Sequence, residues 1–313
     1  MKEALTRIQR NIGKVLVGKE QVAELLMIAL VGGGHVLLED VPGTGKTMLA
    51  KALAKSIDGT FKRIQLTPDV LPSDITGIQF YNPKTQNFET KLGPVMTNIL
   101  LTDEINRATP RTQAALLEVM EERQVTIEGK TQVIQPPFMV VATQNPIEQQ
   151  GTFPLPEAQM DRFFMQIPVG YPSFEQEKQM MHLHRGNDPL RELKPVLEPE
   201  DILQMQEEAS HIAMSEDVEN YLLHIVHASR QHEYVENGVS PRGTLALMRA
   251  AQARAYLHDR DYVTPDDVKV LVPYLLAHRL VLTMEGEMRT TKRQCVLNIL
   301  ETVEVPVEAG ANE

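Results

Sequence analysis

Cysteine is almost absent from this chain of 313 residues, in which Cys295 stands alone. One thiol excludes an intramolecular disulfide and any cysteine-based metal cluster, and leaves Cys295 to read as a buried thiol in a helix. Long apolar runs are also missing. The longest, residues 25–38, is broken by Gly32-Gly33-Gly34-His35, so it reads as a helix end, a loop and a strand rather than a membrane span. The first ten residues, MKEALTRIQR, are charged throughout and hold no apolar core of the kind a secretory signal needs. Basic residues do not predominate: 31 Lys and Arg against 42 Asp and Glu leave a net charge of −11. A general nucleic-acid binder draws affinity from neutralising phosphates, so this balance argues against one, though it leaves room for a local basic pore in an oligomer. Together these absences point to a cytoplasmic protein with no transmembrane segment.

What is present is ordinary globular material, 42% hydrophobic and 23% charged, in a length that suits one large or two medium domains. In the first half strand-like and helix-like segments alternate, the mark of a parallel sheet with helices on its faces. Strands are expected at 36–38, 61–66, 97–102, 138–143 and 163–167. Helices are expected at 21–30, at 47–57 and, capped by Thr109 with Pro110 in the first helical position, onward to about Arg123. Two stretches interrupt the alternation. Residues 67–96 carry Pro68, Pro72, Gly77, Pro83, Gly93 and Pro94 and are too long for a plain loop. Residues 124–134 hold alternating runs around Gly129-Lys130, the pattern of a β-hairpin. From about Tyr171 strand signals stop and amphipathic helices take over, at 172–185, 199–210, 217–231, 244–257, 264–277 and 290–301. The expected fold is therefore α/β, with an αβα core at 1–171 and a helical domain at 172–313.

Between the first strand and the helix that follows it lies Asp40-Val-Pro-Gly-Thr-Gly-Lys46-Thr47. A strand, a glycine-rich turn and a helix in that order can cradle a triphosphate. Gly43 and Gly45 let the backbone turn tightly, so that N–H groups point inward at phosphate oxygens. Pro42, Gly43, Thr44, Gly45, Lys46, Thr47 and Met48 would surround the nucleotide. Lys46 would reach the β and γ phosphates, the Thr47 hydroxyl would ligate Mg²⁺, and the helix would present its positive end to the anion. The pattern's first glycine is missing, with Asp40 in its place. Downstream, Ile99-Leu-Leu-Thr-Asp103-Glu104 is an apolar strand ending in two acids. After a phosphate loop, Asp103 would join Thr47 in holding Mg²⁺, and Glu104 would orient and deprotonate the attacking water. Without that loop, two such acids could be helix-cap decoration. The next core strand ends in Thr143-Gln-Asn145-Pro146. There Asn145 could hold the lytic water or sense the γ-phosphate, where an isolated Asn-Pro would mark a turn.

Taken in order, these motifs resemble the AAA+ ATPases and, within them, the MoxR family, over nearly the whole chain. The likeness rests on Leu38-Glu-Asp40-Val-Pro-Gly-Thr-Gly-Lys-Thr47, and on Asp103-Glu-Ile-Asn-Arg107-Ala followed by Thr112-Gln-Ala-Ala-Leu-Leu-Glu118. It continues in Ala142-Thr-Gln-Asn-Pro146, in Gly151-Thr-Phe-Pro-Leu-Pro-Glu-Ala-Gln-Met-Asp161-Arg162-Phe163 and in Ser240-Pro-Arg242-Gly243. Many MoxR proteins carry an acid where Asp40 stands. The resemblance implies that Arg162 is an arginine finger reaching the γ-phosphate held by a neighbouring subunit. It implies that Arg242 is the sensor-2 arginine, coupling nucleotide state to the lid, and that Val17-Gly18 pack on adenine. Residues 67–96 would be the helix-2 insert and 124–134 the hairpin before sensor 1, both facing a ring pore. The implied ligands are ATP, ADP and Mg²⁺. The implied assembly is a homo-oligomeric ring, a hexamer, acting on a client protein with a partner that bears a von Willebrand factor A domain.

Alone, the residues leave blander alternatives open. Arg162 could be a solvated arginine, Arg242 a cation at a helix N-terminus in want of an anion, and Val17-Gly18 a turn before the next helix. Phe80, Tyr81 and Phe88 could grip a polypeptide or form the insert's own small core. A nucleic-acid motor, a small-molecule kinase on the same phosphate loop and a nucleotide-gated scaffold are the competing functions.

Overall fold

Strands that are apolar on both faces must be covered on both sides, and three such strands, Val36–Glu39, Ile99–Asp103 and Met139–Gln144, form the middle of one five-stranded parallel sheet. The computed structural model describes residues 4–39, 43–145, 151–183 and 189–306. Asp40, Pro42 and Pro146, singled out above, lie outside these residues. In chain order the first half runs α1 (Ala4–Gly13), α2 (Glu20–Val31), β1 (Val36–Glu39), α3 (Lys46–Ser56), β2 (Phe61–Gln65), α4 (Pro72–Thr76), β3 (Gly77–Asn82) and β4 (Asn87–Leu92). It continues with β5 (Ile99–Asp103), α5 (Pro110–Glu122), β6 (Gln124–Ile127), β7 (Lys130–Val133), β8 (Met139–Gln144), α6 (Glu157–Met160) and β9 (Met165–Pro168). The sheet order is β2-β5-β8-β1-β9, with each adjacent pair parallel.

Because successive strand residues point to opposite faces, each fully apolar strand feeds two cores. Leu38, Ile99, Leu101, Met139 and Val141 face the core that contains α1, α2 and α3 and extends into the second half of the chain. Leu37, Leu100, Val140 and Ala142 face the core under α5 and the two insertions. Helix α2 is buried from Val22 to Val31 on nearly every side, as expected of a helix wedged between layers. It packs on α1, on β9 and on the later helices Pro199–Ser210 and Pro241–Leu257, so it joins the sheet to the helical half. The glycine run after it has a steric cause: a Cβ on Gly34 would stand 2.3 Å from Phe164, whose ring is seated against that backbone.

The helical half comprises α7 (Phe174–Leu183), α8 (Pro189–Glu192), α9 (Pro199–Ser210), α10 (Glu216–Gln231), β10 (Val235–Asn237), α11 (Pro241–Leu257), α12 (Pro265–Leu275), β11 (Val281–Leu282), α13 (Met284–Arg289) and α14 (Lys292–Thr302). Ser215, Ser240, Thr264, Thr283 and Thr291 each accept the backbone N–H of the third residue of the helix they start. Strand signals do not stop at Tyr171 as expected, because β10 and β11 form an antiparallel ribbon. Two and three residues are too short for a period to register, and the partners are far apart in sequence.

Residues 67–96 fold as α4 and the β3–β4 hairpin, which pairs Gly77 with Leu92 through Asn82 with Asn87. A two-stranded ribbon has no second layer to cover it. Phe80, Tyr81 and Phe88 are accordingly exposed, the last two at 51% and 68%, and they do not form a small core. Tyr81 and Phe88 meet edge to face across the hairpin at 5.5 Å. In the β6–β7 hairpin the turn falls one residue earlier than expected, on Glu128-Gly129, since Ile127 pairs with Lys130. Both turn residues have positive φ, 46° and 76°, which matches the twist of the flanking strands.

Candidate active site

The phosphate loop enters α3 through Gly45, whose φ of 90° is open to glycine and strained for other residues. Among the described residues no side chain caps α3, whose N-terminus faces the cleft as an anion site requires. Gly43 to Met48 wall a cleft of about 360 Å³, completed by Arg63, Gln65, Asp103, Glu104, Thr143, Gln144 and Asn145. The cleft thus gathers the C-terminal ends of β2, β5 and β8 around the loop that follows β1, where ligands bind in open parallel sheets. It brings together Gly43, Thr44, Gly45, Lys46, Thr47, Met48, Asp103, Glu104 and Asn145, nine of the residues expected from sequence.

Asp103 is buried at the tip of β5. One carboxylate oxygen accepts Arg63 Nε at 2.6 Å and the other accepts the Thr143 hydroxyl at 3.2 Å. The same Thr143 oxygen accepts the Glu104 backbone N–H at 3.0 Å. Thr143, on β8, therefore sets the relation between the acid that ends β5 and the one that follows it. Glu104 takes a left-handed conformation at φ 58° and ψ 53°, which turns the chain sharply out of the strand. For a residue with a Cβ this costs about 1–3 kcal/mol, a strain typical of functional positions. Its carboxylate meets Arg107 Nε at 3.1 Å and is partly open to solvent.

Val17 and Gly18 are not among the residues that line this cleft. Their neighbour Leu16 would stand 2.8 Å from a Cβ on Gly45, and Gln176 at the start of α7 covers Gly18. The buried Lys19 amine donates to Val169 O and Gly170 O, both at 2.8 Å, and so ties this segment to the chain beyond β9.

Arg162 and Arg242 are not among the residues that line the phosphate cleft. They share a second cleft, of about 210 Å³, with Gly34, His35, Glu121, Arg123, Asp161, Phe164, Arg249 and Arg279. Glu121 joins the two: one oxygen meets Arg162 Nη2 at 3.4 Å and the other binds Arg242. Gly34 and His35 precede β1 and Phe164 precedes β9, so this cleft sits at the N-terminal edge of the sheet, opposite the phosphate loop. The anion that Arg242 needs at a helix N-terminus is Glu121, brought by the end of α5.

Below the second cleft, His35 is fully enclosed. Its Nε2 donates to Met120 O at 2.8 Å and its Nδ1 accepts Val140 N at 2.9 Å, which defines the tautomer. Burial pulls its pKa down to about 4, against the Met120 bond and with help from nearby Arg123.

Sequence reasoning missed Arg63, Gln65 and Glu121. Arg63 lies on a strand whose alternation is irregular, and only pairing β2 with β5 puts it beside Asp103. Glu121 reads as one more acid at the end of an amphipathic helix.

Residues 35–165 match the model of the ATPase family associated with various cellular activities, and residues 227–296 match the AAA lid domain. The chain is 50% identical to the protein YeaC of Bacillus subtilis, over 98% of this chain and 96% of that one. It is 42% identical to the chaperone MoxR1 of Mycobacterium tuberculosis, over 96% and 82%. With the protein MoxR of Methylorubrum extorquens the identity is 31%, over 97% and 96%. A crystal structure described as an ATPase from Cytophaga hutchinsonii superposes with a TM-score of 0.90 at 40% identity, covering 97% of this chain and 95% of that one. With a nucleotide-type cleft at one end of a five-stranded parallel sheet and a helical lid beside it, the chain belongs to the MoxR family of AAA+ ATPases.

Proposed function

We propose that the protein hydrolyses ATP with Mg²⁺ as a ring, expected to be a hexamer, and uses turnover to remodel or activate a client protein. The observation that carries this reading is the placement of Lys46, Asp103 and Glu104 at one edge of the sheet and of Arg162 and Arg242 at the other. The strands between them are four to six residues long in β1, β5 and β8, a separation of roughly 10–20 Å. Arginines on the far edge serve a phosphate held by the next subunit, and a ring of copies supplies each cleft with such a pair.

Within one cleft, Lys46 and the N-terminus of α3 hold the phosphates. Thr47 and Asp103 would hold Mg²⁺ through their oxygens, a donor type that suits it. Among the described residues no cluster of three or more His, Cys, Asp or Glu offers a protein-only metal site. Bound there, Mg²⁺ would neutralise charge on the phosphates. Glu104 takes the proton of a water whose oxygen bonds to the γ-phosphorus as the bond to the β–γ bridging oxygen breaks. Asn145 stands beside it to hold that water. Arg162 neutralises charge on the transferred group from across the interface.

Mixing inactive variants tests the shared site. Lys46→Ala removes a phosphate ligand and Arg162→Ala removes the finger, so each alone should be inactive. Together they should regain part of the activity at interfaces that pair an intact cleft with an intact finger. No recovery at any ratio would remove the shared site. For the client, the exposed Phe80, Tyr81 and Phe88 hairpin supports a polypeptide partner, and a protein bearing a von Willebrand factor A domain is the class proposed. Glu104→Gln protein loaded with ATP should retain that partner from native lysate. Retention of nucleic acid in its place would favour a motor.

A further inference from the structure

We propose that the lid of each subunit positions that subunit's own Arg162, with Glu121 and Asp161 as the positioning residues, so that one subunit's lid is read at the next subunit's phosphate. This rests on the in-trans role of Arg162 given above. By chain position the turn Asp161–Phe164 belongs to the core, between α6 and β9. Its N–H groups bond to core residues, among them Phe164 N–H to His35 O at 2.8 Å, while its carbonyls and the Asp161 carboxylate bond to the lid. Asp161 accepts the Ser240 hydroxyl at 2.8 Å on one oxygen and Arg279 Nε at 2.7 Å on the other. Arg279 also donates to Phe163 O at 2.7 Å and Phe164 O at 3.2 Å, and His278 Nε2 donates to Phe163 O at 3.0 Å. Arg249 of α11 lies over the Phe164 ring at 5.6 Å.

The side chain of Arg162 is held in the same manner. Glu121 bridges it to Arg242 on α11, so backbone and guanidinium both answer to lid residues. The two attachments differ in strength. Arg279 is 2% exposed and its contacts to Asp161 and the carbonyls form a rigid peg. Burial lowers its pKa to about 10, against Asp161, so it stays cationic at neutral pH. Glu121 is 38% exposed, and an ion pair that open to water is weak. A phosphate with more charge than a carboxylate displaces it. Glu121 therefore keeps two like-charged guanidiniums aligned until the neighbour's nucleotide takes its place, and the peg at Asp161 sets where they wait.

Glu121→Gln and Asp161→Asn test this in the full-length protein. Each should lower ATP turnover about tenfold while the KM for ATP stays near wild type, because the variant's own phosphate cleft is untouched. Mixing either variant with Lys46→Ala should restore turnover, since the Lys46→Ala subunit lends an intact lid and finger to a sound cleft. A variant that had merely lost its fold would not be rescued. Glu121→Gln is on the surface and keeps the test valid where Asp161→Asn weakens the protein. Wild-type turnover in Glu121→Gln and Asp161→Asn would overturn the proposal. So would unrescued loss while Arg162→Ala is rescued by Lys46→Ala under the same conditions. Failure of the Arg162→Ala rescue itself would remove the in-trans reading and this proposal with it.

Discussion

Glu104 is the residue where backbone and chemistry meet most closely. Its left-handed conformation and its N–H bond to Thr143 aim the carboxylate into the cleft beside Asp103. Glu104→Gln should keep ATP binding and lower turnover by roughly 10²–10⁴-fold, checked by single-turnover hydrolysis beside a nucleotide-binding titration. Thr143→Val removes the hydroxyl shared by both acids and should lower kcat by about tenfold, with the fold intact by thermal melting. His35 gives a pH signature. Its folded pKa of about 4 lies below the ordinary 6.5, so the unfolded chain takes up a proton first as pH falls. Stability from this group is complete above about pH 6.5 and is lost progressively toward pH 4, by up to about 3 kcal/mol. Buried His278 acts in the same direction. Melting temperature followed from pH 7.5 to 4.5 should fall less steeply in His35→Gln. Of these residues, Glu104 was legible as an acid after a buried strand. Thr143's bridge was not, because it depends on β5 and β8 being neighbours.

Among the elements, α12 shows how a local signal acquires its energy from elsewhere. Thr264-Pro265-Asp266-Asp267 reads as a capping box, and Asp267 does bond the Thr264 backbone N–H at 2.8 Å. The same buried carboxylate binds Arg254 and accepts two bonds of 2.6 Å from Arg260. Burial raises its pKa, but Arg260 and Thr264 more than offset that and leave it below the ordinary value. Its contribution is therefore present above about pH 4, the unfolded value, and fades as pH falls through the lower folded one. Asp267→Ala removes the buried partner of two arginines, leaving Arg254 only its longer contacts to Glu24 and Asp266, and should cost about 3 kcal/mol, well beyond the ~1 kcal/mol of a lost cap, read by chemical denaturation. Helix starts and buried strands were legible because caps and apolar runs are local. The β10–β11 ribbon and the single-residue offset of the β6–β7 turn were not, because pairing partners decide both.

At the scale of the whole molecule, one sheet separates the phosphate-loop cleft from the arginine cleft, and an apolar hairpin is exposed away from its cores. Phe80→Ser with Phe88→Ser should leave basal ATP turnover within about twofold, since exposed substitutions change stability little. The same pair should abolish retention of the client by Glu104→Gln protein. Equal client retention would move the contact to another surface.

The order of motifs along the chain was enough to determine the α/β class, the phosphate loop and the acids beside it, because each depends on a few consecutive residues with fixed local geometry. Only the tertiary structure decided that Arg63 holds Asp103, that Phe80, Tyr81 and Phe88 face solvent, and that Arg162 and Arg242 share Glu121 at the edge opposite Lys46. Strand order and the docking of the lid bring these groups together across as many as 121 positions, a separation no local pattern encodes.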